Sequence, residues 1–447
     1  MKQLVISLLS AVVLASAASA APPNIVILFS DDGGFADFGF QPDCRPDMKG
    51  LTPNIDRVAA GGVRFTNGYV TGCVCSPSRA GLMTGRYQQR FGYDNNLPPG
   101  FKGGLSLEET FGTKRLKDLG YTTGLVGKWH LGYPDDYHPN ERGFDWFHGL
   151  LQGSRPYFPI RKPSHARVIL ENREPTPEKG YVTDRFGDAA CRFIRENKEK
   201  PFYLFVSFTA PHGPLQAKPE VLAKLNAIKE KKRRGFAGLV VSLDQNVGKV
   251  LDCLDEQGLS ENTIVVYTND NGGQTATGAN NHPLSGKKGT LLEGGVRVPF
   301  AMRWPGRIKP GTVIDDPVMS FDLLPTFVSI AGGTVKPEWQ LDGVDLTKRL
   351  TGEAAELEER PLFWRQHGGQ GEKAVRLGKW KLHRAAGSSA GKLFNLEEDV
   401  AETKDVSAKH PEMKQKLETL LDDWNAELKE PLWGRNAAEG KKKRKKG

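Results

Sequence analysis

The segment Cys75-Ser76-Pro77-Ser78-Arg79 joins a cysteine to a proline two residues later and an arginine four residues later. Proline suits the first turn of a helix, because its missing N–H would have no partner there. We therefore predict that Cys75 begins a helix whose N–H groups and dipole attract an anion, with Arg79 one turn further on. Two alternatives stay open for Cys75: a small buried apolar side chain, or a thiolate nucleophile.

Four oxygen-bearing side chains stand directly after two apolar runs that are typical of buried strands. Asp31 and Asp32 follow the first run, and Asp270 and Asn271 follow the last. Oxygen donors suit Ca²⁺ or Mg²⁺, and a flexible site favours Ca²⁺, whereas zinc would require His or Cys. Each pair alone is also compatible with a turn. The two pairs together predict a metal site, with Ca²⁺ preferred over Mg²⁺.

Further chemically able side chains follow two other apolar runs or lie in glycine-rich sequence. Lys128 and His130 alternate along an extended segment, so both can face one side. His212 lies just past a strand-like run, and Lys288 lies in a glycine-flanked loop beside Lys287. Each of these residues alone is also compatible with a surface lysine or a structural histidine.

The order of apolar runs and helix-like segments predicts an α/β protein. Its large, mixed, mostly parallel sheet is sandwiched by helices, because strands and helices alternate along the chain. The predicted strands are Ile25–Phe29, Thr123–Val126, Phe202–Phe208 and Thr263–Tyr267, and the predicted helices are Leu107–Leu119, Thr183–Glu196 and Leu239–Gln257. In such sheets, sites form outside the carboxyl ends of the strands.

The C-terminal part of the chain predicts a smaller α+β subdomain. It contains three short antiparallel strands and a helix, at Leu362–Trp364, Ala374–Arg376, Trp380–His383 and Pro411–Leu428. We place the catalytic domain at residues 21–345 and this subdomain at 346–434. We expect residues 435–447 to form a disordered basic tail, with a non-specific hold on polyanions as the alternative.

The N-terminus has the pattern of a secretory signal peptide. Lys2 precedes a mostly apolar stretch that ends in Ala18-Ser19-Ala20. We therefore predict a signal peptide at residues 1–20 and a secreted or periplasmic protein without a membrane span. The net charge of +9 comes with no nucleic-acid motif, so we expect no nucleic-acid partner. Besides Cys75 the chain has four cysteines, whose pairing the sequence leaves open: Cys44, Cys73, Cys191 and Cys253.

Taken together, these motifs resemble the formylglycine-dependent (type I) sulfatases of the alkaline-phosphatase superfamily. The resemblance runs from Asn24 to about Leu428, and its motifs are Asn24–Asp32, Cys75–Gly85, Gly120–Gly132, Thr268–Gly272 and Lys288–Gly295. One departure is Ser285-Gly286-Lys287-Lys288, where the family often has Gly-Gly-Lys. The register against Gly289 makes Lys288 the equivalent lysine, with Lys287 as the alternative.

The resemblance implies a mechanism in which Cys75 becomes 3-oxoalanine (formylglycine), made by a formylglycine-generating or sulfatase-maturating enzyme. One hydroxyl of the aldehyde hydrate attacks sulfur, and the second later expels sulfate. Residue 75 joins the metal ligands. In this mechanism, Lys128 and Lys288 bind the sulfate. His212 protonates the leaving oxygen. Arg79 and His130 orient the hydrate.

Export and the family resemblance favour a sulfated carbohydrate as substrate, either a polysaccharide or its oligosaccharides. The candidate substrate-binding residues are Arg155, Tyr157, His165, Arg365 and His367, with loop packing as the alternative explanation for them. Two other functions stay open: hydrolysis of phosphodiesters or phosphonate monoesters by the same architecture, and non-catalytic binding of sulfated glycans.

Overall fold

The computed structural model describes residues 21–434, so the predicted signal peptide and basic tail lie outside the described residues. The strands of the described chain are β1 Asn24–Ser30, β2 Val63–Phe65, β3 Gly68–Tyr69, β4 Thr122–Lys128, β5 Trp146–Leu150, β6 Leu170–Glu171, β7 Glu174–Pro175, β8 Phe202–Ser207, β9 Thr263–Asn269, β10 Phe300–Arg303, β11 Thr312–Ile314, β12 Val318–Met319, β13 Leu362–Arg365, β14 Lys373–Leu377, β15 Trp380–Arg384 and β16 Lys392–Asn395. The α-helices are α1 Pro53–Ala60, α2 Cys75–Thr84, α3 Gly112–Asp118, α4 Val182–Asn197, α5 Pro219–Leu222, α6 Lys231–Glu256, α7 Glu293–Val296, α8 Leu323–Ile330, α9 Thr347–Leu350 and α10 Pro411–Ala426.

A ten-stranded sheet forms the centre of the molecule, in the order β11-β2-β10-β9-β1-β8-β4-β5-β6-β7. The five strands β9, β1, β8, β4 and β5 are parallel to one another, and antiparallel strands flank them on both sides. The predicted mixed, mostly parallel sheet is therefore confirmed. Parallel strands bring their carboxyl ends to one edge, which is where the predicted site residues follow β1, β4, β8 and β9.

Successive residues of the central strands face two different hydrophobic cores. Val26 and Leu28 of β1 pack into a core that includes residues of α1, α4 and α6. Ile25, Ile27 and Phe29 pack into a core that includes residues of α2, α3 and α8. Because both faces of the sheet are covered, the strands read as continuous apolar runs rather than as alternating ones.

The C-terminal unit is a four-stranded antiparallel sheet, in the order β13-β14-β15-β16, with α10 packed on it. Its last strand, β16, was not predicted. This sheet shares one hydrophobic cluster with residues of the large unit, among them Tyr69, Tyr87 and Phe321. Trp424 of α10 stacks on Phe363 at 4.9 Å between ring centroids, and Tyr87 meets the edge of Trp424 at 5.2 Å. The C-terminal sheet is therefore packed directly onto the part of the chain that forms the large sheet and its helices.

The helix predicted from Leu107 begins only at Gly112. Residues 106–109 form a turn instead, in which the backbone N–H of Glu109 donates to the carbonyl oxygen of Ser106 at 3.2 Å. Arg142 supports this turn, because its guanidinium donates to the carbonyl oxygens of Ser106 and Glu109, both at 2.9 Å. In the part of the chain from 21 to 434, no helix combines the length and the apolarity needed to cross a membrane.

Candidate active site

Helix α2 begins at Cys75, as predicted from the position of Pro77. Val74, which precedes the helix, provides no side-chain cap. Instead, Asn96 accepts a hydrogen bond from the backbone N–H of Ser76 at 2.9 Å, which satisfies one of the N–H groups left free in a first helical turn. Cys75 is thereby fixed at the start of a fully buried helix, 2% exposed.

Three carboxylates meet beside this helix start, where β1 and β9 end. Asp31 accepts from Lys128 Nζ at 2.6 Å, and Asp270 accepts from Arg79 Nη2 at 3.0 Å. Lys128 and Arg79 are 0% and 1% exposed. Since isolated charges are very costly to bury, this alternation of carboxylates and cations is what makes the cluster tolerable inside the protein.

Arg79 is held from three sides. Besides Asp270, its guanidinium donates to the carbonyl oxygen of Lys128 at 3.2 Å and to the hydroxyl of Ser207, and it lies over the ring of Phe29 at 5.1 Å. Ser207, the last residue of β8, in turn donates to the same Lys128 carbonyl at 2.7 Å. Arg79 therefore links α2 to β1, β4, β8 and β9 and has no freedom to leave the cluster.

The sulfur of Cys75 lies between opposite charges. Its Sγ is 3.6 Å from Asp31 Oδ1 and 3.1 Å from Lys288 Nζ. Burial, followed by the charge of Asp270, raises the pKa of the thiol to about 12. The encoded side chain is therefore a neutral thiol at neutral pH, which argues against the thiolate nucleophile that the sequence left open.

The carboxylates differ in proton affinity although all are buried. Burial and the neighbouring charge of Asp270 raise the pKa of Asp31 above its usual value. For Asp32 and Asp270, burial is also the largest influence and raises the pKa, but nearby cations outweigh it and lower the pKa of both groups. The principal cations are Lys288 for Asp32 and Arg79 for Asp270. Asp32 and Asp270 are therefore ionised at neutral pH.

Lys288 and Lys287 occupy different environments. The Nζ of Lys288 is 2.6 Å from Asp32 Oδ1 and 3.1 Å from Cys75 Sγ, with the side chain 12% exposed. Lys287 is exposed and makes no ion pair among the described residues. Lys288 is thus the lysine that the fold brings to the cysteine, as the register against Gly289 predicts.

The loop that carries Lys288 is held by the C-terminal sheet. Glu372 accepts from the backbone N–H of Leu291 at 2.9 Å, and Glu402 accepts from that of Glu293 at 2.6 Å. The carboxylate of Glu293 is bound by Lys381 Nζ at 2.9 Å. Sequence inspection missed these supporting residues, because nothing in their local pattern connects them with a loop about 80 to 110 positions earlier.

The two predicted histidines lie on different sides of the cluster. His212 Nε2 is 3.6 Å from Asp32 Oδ2, and its Nδ1 is 2.7 Å from the carbonyl oxygen of Gly213. A carbonyl only accepts, so Nδ1 carries a proton and Nε2 is the atom that faces the site. His130 is buried and its Nδ1 has no hydrogen-bond partner among the described residues. Burial, Lys128 and Arg79 hold the pKa of His130 well below its usual range.

Backbone strain accompanies two of these residues. Asp32 and His130 adopt left-handed conformations, with φ of 68° and 62°. Non-glycine residues rarely occupy this region unless the surrounding structure holds them there. Both side chains are aimed by this geometry rather than by an ordinary strand or helix.

The donor set can hold a divalent metal ion. Asp31, Asp32, Cys75 and His212 each offer a ligand atom, and these atoms lie within 4.8 Å of one another. Asn271 adds a buried amide oxygen that has no hydrogen-bond partner, while its amide nitrogen donates to Asp32 at 2.9 Å. Carboxylate and amide oxygens are the donors that Ca²⁺ and Mg²⁺ prefer. His212, considered only as an acid from the sequence, lies within this group.

Three of the five residues predicted to bind substrate are buried and have partners within the protein. Arg155, with a fully buried side chain, pairs with Glu178 at 2.6 Å. Arg365 is buried and pairs with Asp94 at 2.8 Å. Tyr157 is buried and donates to the carbonyl oxygen of His212 at 2.7 Å, so it holds the backbone of His212. Only the two remaining candidates are exposed, His165 and His367. We therefore do not assign the three buried side chains to substrate binding.

The fold and the site define an α/β protein with a cluster of buried carboxylates, cations and a cysteine at the carboxyl ends of its central strands. The family described as "Sulfatase" matches residues 23–333, and the family described as "N-sulphoglucosamine sulphohydrolase, C-terminal" matches residues 285–428. The chain belongs to the sulfatase family, and the enzyme is a sulfatase.

Individual relatives agree with this assignment. The chain is 35% identical to arylsulfatase A from Homo sapiens over 391 residues, which cover 80% of the chain and 73% of that protein. It is 33% identical to N-acetylgalactosamine-6-sulfatase from Canis lupus familiaris over 386 residues, which cover 80% of the chain and 70% of that protein. The crystal structure of Ps i-CgsB in complex with k-i-k-neocarrahexaose is similar, with a TM-score of 0.88 and 35% identity, covering 94% of this chain and 96% of that one.

Proposed function

We propose that this enzyme removes sulfate from a sulfated carbohydrate, a polysaccharide or its oligosaccharides, after conversion of Cys75 to formylglycine. The position of Cys75 carries the proposal. Its sulfur lies at a helix N-terminus, 3.1 Å from Lys288 Nζ and 3.6 Å from Asp31 Oδ1. A group attached there meets cations and backbone N–H groups on one side and metal-binding carboxylates on the other, as attack on a sulfate ester requires.

The substrate class rests on the relatives. One is named for a sulfated amino sugar, and the structure with a TM-score of 0.88 holds an oligosaccharide. The family match together with these names favours a sulfated glycan over a small aryl sulfate as the natural substrate. Its sugar and sulfate position are left to the experiment.

We assign the metal site to Asp31, Asp32, Asp270 and Asn271, together with residue 75, and favour Ca²⁺. When bound, the ion offsets the negative charge of the sulfate oxygens and of the nucleophile. The formylglycine hydrate supplies two hydroxyl groups, one for attack on sulfur and one for the later release of sulfate. The unpartnered amide oxygen of Asn271 supports the metal assignment.

The three cationic side chains of the site have different roles, because they differ in exposure. Lys288, partly exposed, binds the sulfate oxygens. Lys128 and Arg79, fully buried, offset the charge of Asp31 and Asp270 beside residue 75. These two cations therefore act on the sulfate only through the field they create.

The histidines handle protons. His212 presents Nε2 toward the site because Gly213 occupies its Nδ1, so a proton on Nε2 can be given to the leaving oxygen. His130, kept neutral by burial and by neighbouring cations, accepts a hydrogen bond from the nucleophilic group. Its neutral state suits a base better than an acid.

The proposal includes how the protein is made. A formylglycine-generating or sulfatase-maturating enzyme modifies Cys75, and export follows from the signal peptide predicted at residues 1–20. We divide the mature chain into a catalytic part up to residue 345 and a C-terminal part from 346 to 434.

The decisive experiment measures sulfate release and the state of residue 75 in the same preparation. Protein from a maturation-competent host should show the mass of formylglycine at position 75 and should hydrolyse an aryl sulfate. Cys75→Ala should lower kcat by at least about 10³-fold, as expected for loss of a covalent nucleophile. Full activity with an unmodified thiol would overturn the formylglycine proposal. Faster hydrolysis of a phosphodiester than of the sulfate would favour the other reaction of this superfamily.

A further inference from the structure

A closed surface loop lies against both histidines of the proposed active site. Gln152 donates its backbone N–H to the carbonyl oxygen of Ala166 at 2.8 Å, so residues 153–165 form a loop whose two ends lie next to each other. We call residues 153–167 the basic loop. Compact loops with such closely spaced ends are frequently functional.

The base of the basic loop is fixed at His130. The backbone N–H of His130 donates to the carbonyl oxygen of Leu151 at 3.0 Å, one residue before Gln152. Gly153 packs so closely on the imidazole that a Cβ there would lie 2.5 Å from His130 Cε1. Any side chain at position 153 would therefore displace His130.

A second anchor fixes the loop at His212. Tyr157 donates its hydroxyl to the carbonyl oxygen of His212 at 2.7 Å, and its own backbone N–H donates to Gln216 Oε1 at 3.0 Å. The buried ion pair of Arg155 with Glu178 holds the segment in between. The loop is thus rigidly attached on the side of the site where the leaving group must be protonated.

The exposed part of the loop carries only positive charge. Arg161, Lys162 and Arg167 are exposed and form no ion pair among the described residues, and the chain has no Asp or Glu from position 153 to 170. Phe158 adds an aromatic ring that is 39% exposed and leans on Tyr181 at 5.3 Å between centroids. An apolar ring beside unpaired cations suits a sugar face with anionic substituents.

The spacing keeps the loop cations near the proposed active site. A chain advances at most ~3.5 Å per residue, so Arg161 lies within about 14 Å of Tyr157. Arg155 donates to the carbonyl oxygen of Arg167 at 2.9 Å, which keeps Arg167 at the base of the loop. The loop cations are therefore close enough to bind the same polymer chain as the catalytic cluster.

Resting on the proposed function, we propose that the basic loop is a second sulfate-binding subsite. Arg161, Lys162 and Arg167 bind sulfate groups on sugars next to the one that is cleaved, and Phe158 packs against the sugar ring. Guanidinium groups bind such oxyanions in a bidentate manner. The enzyme then prefers substrates with sulfates on neighbouring sugars to substrates with a single sulfate.

The test compares one triple variant with a charge-matched control. The variant is Arg161→Ala/Lys162→Ala/Arg167→Ala. The control replaces three exposed lysines that form no ion pair among the described residues, Lys198, Lys309 and Lys336, by alanine. The substrates are an aryl sulfate, a carrageenan hexasaccharide with sulfates on neighbouring sugars, and the same hexasaccharide with one sulfate.

For the loop variant, we expect KM for the multiply sulfated hexasaccharide to rise roughly 10-fold, as expected for the loss of three exposed charge contacts. The rise should be smaller for the singly sulfated hexasaccharide and smallest for the aryl sulfate. The KM of the unmodified enzyme should also increase with salt, and that dependence should weaken in the loop variant, because exposed charges are screened. The control should match the unmodified enzyme.

An unchanged KM ratio between the multiply and singly sulfated substrates would overturn the subsite while leaving the proposed function intact. Absence of sulfate release from all three substrates would overturn the proposed function instead. In that case, calorimetry of the multiply sulfated hexasaccharide with the Cys75→Ala protein still decides the subsite. Equal affinity with and without the three loop substitutions would reject it, and weaker affinity with them would support it.

Discussion

Two buried charge clusters lie on either side of the Lys288 loop, and they are built differently. The first surrounds Cys75 and combines Asp31, Asp32 and Asp270 with lysine and arginine side chains. The second lies where the C-terminal sheet meets α7 and combines Glu293 and Glu402 with cationic partners, chief among them Lys381. Most side chains of both clusters are buried, yet only the first contains the residue that we propose to react.

The clusters differ in access and in what is left unpaired. His212 and Lys288 keep 26% and 12% of their side chains exposed, so the Cys75 cluster has one face toward solvent. Lys381 and Glu293 are 0% exposed, and Tyr69 closes that cluster by donating its hydroxyl to Glu293 at 2.6 Å. The first cluster can therefore receive a ligand, whereas the second holds two parts of the chain together.

The comparison teaches that buried charge by itself does not mark a catalytic site. An accessible face separates the first cluster from the second, as does the amide oxygen of Asn271, which has no hydrogen-bond partner. Backbone strain does not separate them, because Glu402 of the second cluster also adopts a left-handed conformation, with φ of 53°. The two clusters are nonetheless connected along the chain, because Glu293 begins α7 five residues after Lys288.

Removing the central cation of the second cluster should have the largest effect on stability. Lys381→Met leaves Glu293 and Glu402 buried without their cation, so the free energy of unfolding should fall by about 3–5 kcal/mol. Urea unfolding measures this change. The neighbouring Lys379→Met is the control. Lys379 is 42% exposed and pairs with Glu397, so its loss should change the free energy of unfolding by less than about 1 kcal/mol.

A restoring substitution makes that prediction sharper. Neutralising both carboxylates as well, with Glu293→Gln and Glu402→Gln, should recover part of the stability lost in Lys381→Met, because the two buried carboxylates then no longer lack their lysine. A further loss in the triple variant would show that packing rather than charge explains the role of Lys381.

The two adjacent lysines of the loop should separate catalysis from stability. Lys288→Met should lower kcat about 10²-fold, because it removes a preorganised cation from the reacting group. Lys287→Met, one residue away and exposed, should stay within about twofold of the unmodified enzyme. Steady-state kinetics on an aryl sulfate measures both. Equal losses in the two variants would contradict the assignment of Lys288.

The smallest effect is a dependence of stability on pH. Burial, the largest influence on Glu293, raises its pKa, but Lys381 and nearby arginines outweigh burial and hold the pKa at about 2. A lowered pKa stabilises the folded state above the usual glutamate value near 4.5, and this contribution is lost as the pH falls toward 2. The stability difference between the unmodified protein and Glu293→Gln should therefore shrink over that interval, by about 1–3 kcal/mol.

Unfolding in urea at several pH values between 7 and 3 measures that difference. A gap between the two proteins that stays constant from pH 5 to pH 3 would show that Glu293 is not held ionised by its neighbours. Sulfatase activity at neutral pH, measured on the same samples, checks that the Cys75 cluster is intact in both proteins.

Much of the fold could be predicted, because apolar runs report burial on both faces of a parallel sheet. The prediction for β1, Ile25–Phe29, falls within the observed strand, and α2 begins at Cys75. The helix predicted from Leu107 was wrong at its start, where the chain forms a turn supported by Arg142, which is distant in sequence. Long-range side-chain bonds of this kind leave no local pattern to be read.

The sequence by itself determined the reactive centre: a cysteine placed by proline at a helix start, with carboxylates, cations and histidines placed directly after strands. These signals are local, since strand ends and helix starts are set by neighbouring residues. Only the tertiary structure decided which lysine reaches Cys75 and which arginines form buried ion pairs, such as Arg155 with Glu178. Those choices depend on contacts between distant segments, and such contacts exist only once the chain has folded.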